Sequence, residues 1–160
     1  PITFVSNETS KCSSALSIKP ISVPHRDELT DTHAFLIQGS KRTLLHLPDH
    51  DRWDTTLTHV GMKSIRDWFE QIQADVVLLD GTFWSDGEIS RQTNVPHPPI
   101  SETISLLGPR EPPDIDIRFI HFNHTNPVIA GGDESIDLDL KGWALASEGE
   151  VIELFMDATE

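Results

Sequence analysis

The stretch "LTHVGMKSIRDWFEQIQADVVLLDGTF", residues 57–83, changes from one periodicity to another along its length. In its first part apolar residues recur at spacings of three and four, a pattern that predicts an amphipathic helix over 57–73. The second part is a continuous apolar run that ends at Asp80 and Gly81, which indicates a strand buried on both faces. A helix that leads directly into such a strand predicts a layered fold of the α/β or α+β class.

Short strands are predicted on both sides of this stretch. Their sequences are apolar, β-branched or alternating, and turn-forming residues bound each of them. They are "ITFV" (2–5), "LSIKPISV" (16–23), "HAFLIQG" (33–39), "RTLLHLP" (42–48) and "IRFIHF" (117–122). A short helix is predicted over 101–108 with Ser101 as its N-cap. The segment 142–154 predicts a final hairpin around Glu148 and Gly149.

Length and composition limit the classes of protein to consider. The 160 residues, 37% of them apolar, suffice for one domain with a core. The formal net charge of −14 and the absence of a basic cluster argue against nucleic-acid binding, which requires clustered Lys and Arg. No apolar run reaches the length of a membrane span, so we expect no membrane association and favour a cytoplasmic location. The single cysteine, Cys12, excludes an internal disulfide and a Cys-pair zinc site.

Histidine and aspartate recur in the loops that follow the predicted strands. These residues are His25, Asp49, Asp80, His97 and His121, and His97 stands in a polar, proline-bearing loop predicted over 85–99. Strand ends in layered folds are where functional sites are assembled, because a rigid sheet fixes the loop that presents the side chain. Neutral imidazole and carboxylate together suit a divalent ion such as zinc, iron(II) or manganese. The pattern therefore predicts a metal site.

Five motifs in this chain together resemble a known family. They are "VPHRDE" followed by "DTHAFLIQG", "LLHLPDHDRW", "VVLLDGTFW", "VPHPPISET" and "FIHFNHTNP". In this order they resemble the second half of PqqB-like hydrolases, a branch of the metallo-β-lactamase superfamily related to the pyrroloquinoline-quinone biosynthesis protein B. The resemblance covers roughly residues 18–155.

The resemblance implies a fold and a role for each candidate residue. The fold is an αββα sandwich with a metal site at the edge of its two central sheets. By position, His25, Asp49 and His121 match metal ligands of the superfamily, and His97 matches a loop histidine that reaches the active site in some relatives. Asp80 is then a carboxylate that orients a histidine. These roles are expectations that follow from the resemblance.

The chain also departs from the superfamily pattern. The H-x-H-x-D-H motif that supplies several ligands does not occur in the 160 residues, and we would expect it before residue 1. We therefore interpret residues 1–160 as a single domain, the C-terminal portion of a metallo-β-lactamase-like fold without the half that carries this motif. His46 is interpreted as structural from strand alternation, and His50, beside Asp49, is a weak second candidate for the site.

The function expected from the resemblance is metal-dependent hydrolysis of a small molecule. The ion, zinc first with iron or manganese as alternatives, lowers the pKa of a water and polarises a substrate oxygen. His97 is expected to act as a general acid, because Pro96, Pro98 and Pro99 fix its backbone. Two alternatives remain: an iron-dependent oxidative enzyme of the pyrroloquinoline-quinone type, and a non-catalytic binding or dimerisation half-domain. The expected partners are a small-molecule substrate and further copies of the chain.

Overall fold

The computed structural model describes residues 10–11, 16–26, 28, 30–88 and 96–155. These residues form one sheet of seven strands whose spatial order follows the chain. The strands are β1 (Ser10–Lys11), β2 (Ser17–Val23), β3 (Thr32–Gln38), β4 (Thr43–Leu47), β5 (Val76–Asp80), β6 (Asp116–Ile120) and β7 (Ala144–Leu145). The strand predicted at 2–5 and Cys12 lie outside the described residues.

Four α-helices and one 3-10 helix accompany the sheet in the described part of the chain. They are α1 (Trp53–Val60), α2 (Ile65–Gln71), α3 (Ile100–Leu107), α4 (Asp133–Leu140) and the 3-10 helix η1 (Pro127–Ala130). None of the helices described is long and apolar enough to cross a membrane. The prediction of a mixed α/β fold is confirmed.

Strand direction changes at β4. Strands β1 to β4 pair antiparallel, whereas β4 to β7 pair parallel. Parallel neighbours need a crossover connection, and the helices supply it: α1 and α2 between β4 and β5, α3 between β5 and β6, and η1 with α4 before β7. Two successive antiparallel pairings give β2 the same direction as β4. The carboxyl ends of β2, β4, β5 and β6 therefore lie along one edge of the sheet.

One face of the sheet forms the hydrophobic core with the helices. Alternate strand residues point to this face, as the pairing of Leu36 with Leu45 and of Leu47 with Leu79 shows. They pack in one buried cluster with helical side chains that include Trp53, Trp68, Phe69, Ile100 and Ile104. Burial of this apolar surface stabilises the fold by about 25 cal/mol per Å² removed from water.

The opposite face carries apolar side chains that are less completely covered. Phe35 pairs with His46, His46 with Leu78, and Asp80 with Ile120. Phe35, Leu78 and Ile120 are only half-buried, whereas Asp80 at the edge of this face is fully buried. The described residues thus supply one sheet of the expected sandwich and the helices on one of its faces.

The helix predicted over 57–73 is wrong in its continuity, because two helices occupy the region. Helix α1 begins at Trp53 and ends at Gly61, whose φ of 74° lies in the left-handed region that glycine adopts without strain. Helix α2 follows after a short turn, and the Ser64 side chain caps it by accepting a hydrogen bond from Asp67 N. A glycine and a serine in the pattern therefore divide one predicted helix into two.

The predicted N-cap Ser101 is also wrong, because α3 begins at Ile100 after Pro99 and no side chain caps it. Its first amides are satisfied by backbone instead. Ile100 N donates to Phe83 O at 2.9 Å, and Ser101 N donates to Trp84 O at 3.1 Å. Backbone carbonyls of the segment that follows β5 therefore cap α3 in place of a side chain.

The hairpin predicted over 142–154 does not form. Only Ala144–Leu145 is a strand, and it pairs parallel with β6. The chain turns at Ser147, where Glu150 N donates to Ser147 O, and continues to the β3–β4 turn. There Leu154 O accepts hydrogen bonds from Lys41 N and Arg42 N. Residue 154, in the predicted second strand of the hairpin, thus pairs with the β3–β4 turn and not with β7.

Candidate metal centre

All five candidate residues lie at the sheet edge formed by the carboxyl ends of the strands. His25 follows β2, Asp49 follows β4, Asp80 is the last residue of β5 and His121 follows β6. His97 reaches the same edge from the segment that precedes α3. The topology explains the placement, because β2, β4, β5 and β6 run in one direction.

Asp49 lies at the centre of the cluster. Its Oδ1 is 3.7 Å from His25 Nε2, 3.7 Å from His121 Nδ1 and 3.8 Å from His97 Nδ1. Two atoms that bind one zinc ion at about 2.0 to 2.2 Å are separated by distances of this order. Three imidazoles therefore gather around one carboxylate oxygen, so side chains of the types that bind a divalent ion lie close together.

The side chains form two sets that could each hold an ion. His25, Asp49 and His97 make one set, and Asp80, His97 and His121 the other; within each, the ligand atoms lie within 4.8 Å of one another. His97 belongs to both, whereas His25 and His121 share neither. The ligand assignment of His25, Asp49 and His121 stays a prediction, and His97 lies at ligand distance as well.

His97 and Asp80 are joined by a short hydrogen bond between Nδ1 and Oδ2, at 2.7 Å. Asp80 is fully buried. Burial alone would raise the pKa of its carboxyl, but the His97 hydrogen bond, the His97 and His50 charges and a Thr82 hydrogen bond outweigh it and lower the pKa. For His97, burial acts to lower the pKa, and the Asp80 hydrogen bond and the Asp80 and Asp49 charges raise it overall.

Thr82 is a site residue that sequence reasoning missed. Its hydroxyl lies 2.6 Å from Asp80 Oδ1, 3.0 Å from His121 Nδ1 and 3.3 Å from His97 Nδ1. Its backbone N also donates to Asp80 Oδ1, at 2.9 Å. An aspartate that accepts from the residue two positions later is an Asx turn, and "DGT" is a sequence that favours one.

Two further histidines lie near the site without joining either ligand set. His50 is fully buried, and burial lowers its pKa to about 4. Its Nδ1 lies 3.0 Å from Thr56 Oγ1, which itself donates to Asp51 O. Because the Thr56 hydroxyl proton is donated to Asp51 O, Thr56 Oγ1 can only accept from His50, and His50 Nδ1 is the donor. His46 is half-buried. Its pKa is lowered, mainly by burial and to a smaller extent by the charge of His121.

Arg52, at the start of α1, contacts the loop that follows β5 and helix α3. It immediately precedes that helix and is three residues from Asp49. Its guanidinium donates to Glu102 at 2.8 Å and also to Asp86. No local sequence pattern predicts these contacts, because the partners of Arg52 lie 34 and 50 residues away.

The loop after β5 is tied to the loop after β6 by two further contacts. Glu88 accepts from Trp84 N at 2.7 Å through one oxygen and from Thr125 Oγ1 at 2.7 Å through the other. Asn126, which is buried, donates from Nδ2 to Gly81 O at 2.8 Å. These contacts hold the backbone on either side of the ligand candidates, so the site rests on a fixed frame.

Two site loops contain a non-glycine residue with positive φ. Arg26, next to His25, has a φ of 45°, and His121 has a φ of 62°. Such residues are uncommon, and they cluster at functional sites when the surrounding structure holds them. The Arg26 side chain is exposed, and Asp27 lies outside the described residues.

Comparison with known proteins supplies a family and a fold. The family model described as "Beta-lactamase superfamily domain" matches residues 2–122. Among solved structures, the chain is similar to the 1.98-angstrom crystal structure of Zn(2+)-bound PqqB from Methylobacterium extorquens, with a TM-score of 0.63 and 23% identity. The alignment covers 94% of this chain and 55% of that protein, so this chain spans about half its length. The comparison with curated proteins gave no match.

Proposed function

Because this chain belongs to the β-lactamase superfamily, we propose that its edge cluster binds a divalent metal ion and serves hydrolysis of a small-molecule substrate. One observation carries the proposal: the side chains of three histidines surround Asp49, and each has a ring atom within 3.8 Å of its Oδ1. Histidine nitrogen and carboxylate oxygen are the donors that zinc, iron(II) and manganese accept. Zinc is the first choice, and the similar PqqB structure is Zn(2+)-bound.

We assign the metal to His25, Asp49 and His121, with further ligands from groups outside these three. When bound, such an ion lowers the pKa of a water molecule and polarises a substrate oxygen. The 160 residues contain no H-x-H-x-D-H motif, so the chain supplies part of a superfamily ligand set. A partial set holds an ion weakly, because metal affinity grows with the number of preformed ligands.

His97 is assigned the role of general acid. Asp80 Oδ2 accepts the Nδ1 proton of His97, which fixes the ring and leaves Nε2 as the atom that exchanges a proton with substrate. The raised pKa of His97 keeps the imidazole protonated to higher pH than a free one. A positioned general acid is worth about a hundred- to ten-thousandfold in rate.

Metal content and turnover distinguish the two histidine roles. Zinc affinity is measured by titration calorimetry on the purified chain, and turnover in the full-length protein on chromogenic ester, lactone, β-lactam and phosphodiester probes. His121→Ala should lower both metal content and turnover. His97→Ala should lower turnover strongly while metal content stays near wild type. His59→Ala, which removes an exposed histidine from α1, is the matched control and should change neither.

Two outcomes contradict parts of the proposal. Equal loss of zinc in His97→Ala and His121→Ala would make His97 a ligand, which its place in both ligand sets permits. Wild-type protein that binds no zinc, iron or manganese at millimolar concentration would refute the metal proposal and favour the non-catalytic half-domain.

A further inference from the structure

We infer that Thr82 is a positioning residue: its hydroxyl, with the Asp80 carboxylate, fixes His121 and His97 as Nδ1–H tautomers and so leaves Nε2 as the ligating or proton-exchanging nitrogen of each. The significance of this inference for catalysis rests on the proposed function. The tautomers themselves are properties of the chain without metal.

The first step is the direction of the Thr82 hydroxyl proton. A threonine hydroxyl has one proton to donate and two lone pairs that accept. Its nearest neighbour is Asp80 Oδ1 at 2.6 Å, a distance typical of an O–H donor bonded to a carboxylate. An ionised carboxylate only accepts, so the hydroxyl is the donor in this contact. The Thr82 proton therefore goes to Asp80.

The protonation of the two histidines follows from the direction of the Thr82–Asp80 hydrogen bond. Thr82 Oγ1 can only accept from its other neighbours, so the 3.0 Å contact with His121 Nδ1 requires a proton on that nitrogen. Asp80 Oδ2 likewise only accepts, so the 2.7 Å contact with His97 Nδ1 requires a proton on that nitrogen too. A neutral imidazole carries one proton, so in both rings Nε2 keeps the lone pair.

The consequence concerns which atom of His121 binds metal. Its Nδ1 lies 3.7 Å from Asp49 Oδ1. A protonated nitrogen offers no lone pair, so the Thr82 contact reserves ligation for Nε2. Ligating histidines usually donate their other N–H to a neighbouring acceptor, and Thr82 provides that acceptor here.

The backbone holds the Thr82 hydroxyl in place. Thr82 N donates to Asp80 Oδ1, and Thr82 O accepts from Asn123 N at 3.0 Å. Asn126 Nδ2 donates to the preceding carbonyl, Gly81 O. The side chain is buried, and contacts on both sides of the residue therefore fix the atom that the two histidines meet.

The test is ¹⁵N NMR of the histidine-labelled, metal-free chain at about pH 8, above the ordinary imidazole pKa of about 6.5. Wild type and Thr82→Ser, which keeps the hydroxyl, should show His121 as the Nδ1–H tautomer. Thr82→Val, which keeps the shape and removes the hydroxyl, should move His121 toward Nε2–H, whereas His97, still bonded to Asp80, stays Nδ1–H. Thr103→Val is the matched control: it removes another buried threonine hydroxyl, one that accepts from Trp53 Nε1, and should change neither ring.

Zinc titration gives a second readout. Thr82→Val should bind zinc about 10- to 100-fold more weakly than wild type, and Thr82→Ser should bind nearly as wild type. An Nε2–H His121 in wild type refutes the inference even if Thr82→Val does not fold. An unchanged His121 tautomer in folded Thr82→Val, with or without weaker zinc binding, also refutes it. A wild type that binds no zinc yet shows the expected tautomers refutes the proposed function alone.

Discussion

Lowering the pH from 7 to 5 should destabilise the wild-type chain by about 2 kcal/mol more than it destabilises a His50→Gln variant. His50 is fully buried, and burial lowers its pKa to about 4 in the folded state. In the unfolded chain its pKa is the ordinary value of about 6.5. Between these values the unfolded chain binds a proton that the folded chain does not. The folded state therefore loses stability as the pH falls through this window.

The magnitude follows from the separation of the two pKa values. Each pKa unit corresponds to about 1.4 kcal/mol, so the full loss approaches about 3 kcal/mol near pH 4 and is about 2 kcal/mol at pH 5. Above pH 6.5 neither state is protonated, and the contribution is constant. The sign is opposite for His97: its raised pKa stabilises the fold at low pH, and that contribution is lost as the pH rises.

Urea unfolding of the metal-free chain measures this difference. Tryptophan fluorescence provides the signal from the four tryptophans of the chain, one of which, Trp53, lies 4.5 Å from the His50 ring in the folded state. Both proteins carry the same acidic residues, and those that His50 does not influence contribute equally to the two stabilities. We expect a constant stability offset between the two proteins, because the substitution replaces the hydrogen bond between His50 and Thr56, and only the change of the difference with pH tests the prediction. A stability difference between wild type and variant that stays constant from pH 7 to pH 5 would refute the reasoning.

Three further predictions concern the backbone near the site, a helix cap and the chain's own activity. Gly81→Ala should cost about 1 to 3 kcal/mol by thermal unfolding and weaken zinc binding, because a Cβ would lie 2.8 Å from Ile120 O; Gly87→Ala, where a Cβ meets nothing within 4 Å, should be close to neutral. Ser64→Ala should cost about 0.5 to 2 kcal/mol in urea unfolding, because it removes the side chain that caps α2, and an unchanged midpoint would contradict that role. The isolated 160-residue chain should show little or no metal-dependent turnover, since its sequence lacks the H-x-H-x-D-H ligands; robust turnover with added zinc would overturn this expectation.

Strands were predictable where burial determines the sequence pattern. The run that became β5 is apolar up to its last residue, Asp80, because β5 is an interior strand and nearly all its side chains are covered. Helix α4 was missed for the converse reason. Its apolar residues Ile136, Leu138 and Leu140 alternate as in a strand, and only Leu138 is buried while the other two are exposed. No helical face is apolar, so no helical period appears in the sequence.

The site was predictable in its placement and not in its supporting contacts. Histidine and aspartate at strand ends are visible in the sequence, and parallel strands bring their ends to one edge. Thr82, Arg52 and Glu88 act through partners on other elements and loops, at separations that no local pattern encodes. The Asp80–Thr82 turn is the exception, since both residues belong to one short motif.

The tie between residue 154 and the β3–β4 turn couples two distant parts of the chain kinetically. The amides of Lys41 and Arg42 both donate to Leu154 O, and Gly39 has no room for a side chain because this carbonyl lies against it. Their hydrogen bonds to Leu154 O slow the exchange of these amides with solvent while the C-terminal segment is bound. The exchange rates of these amides should therefore report how often the C-terminal segment detaches. Protease cleavage near residue 150 should accelerate exchange in a turn more than a hundred residues earlier in the sequence.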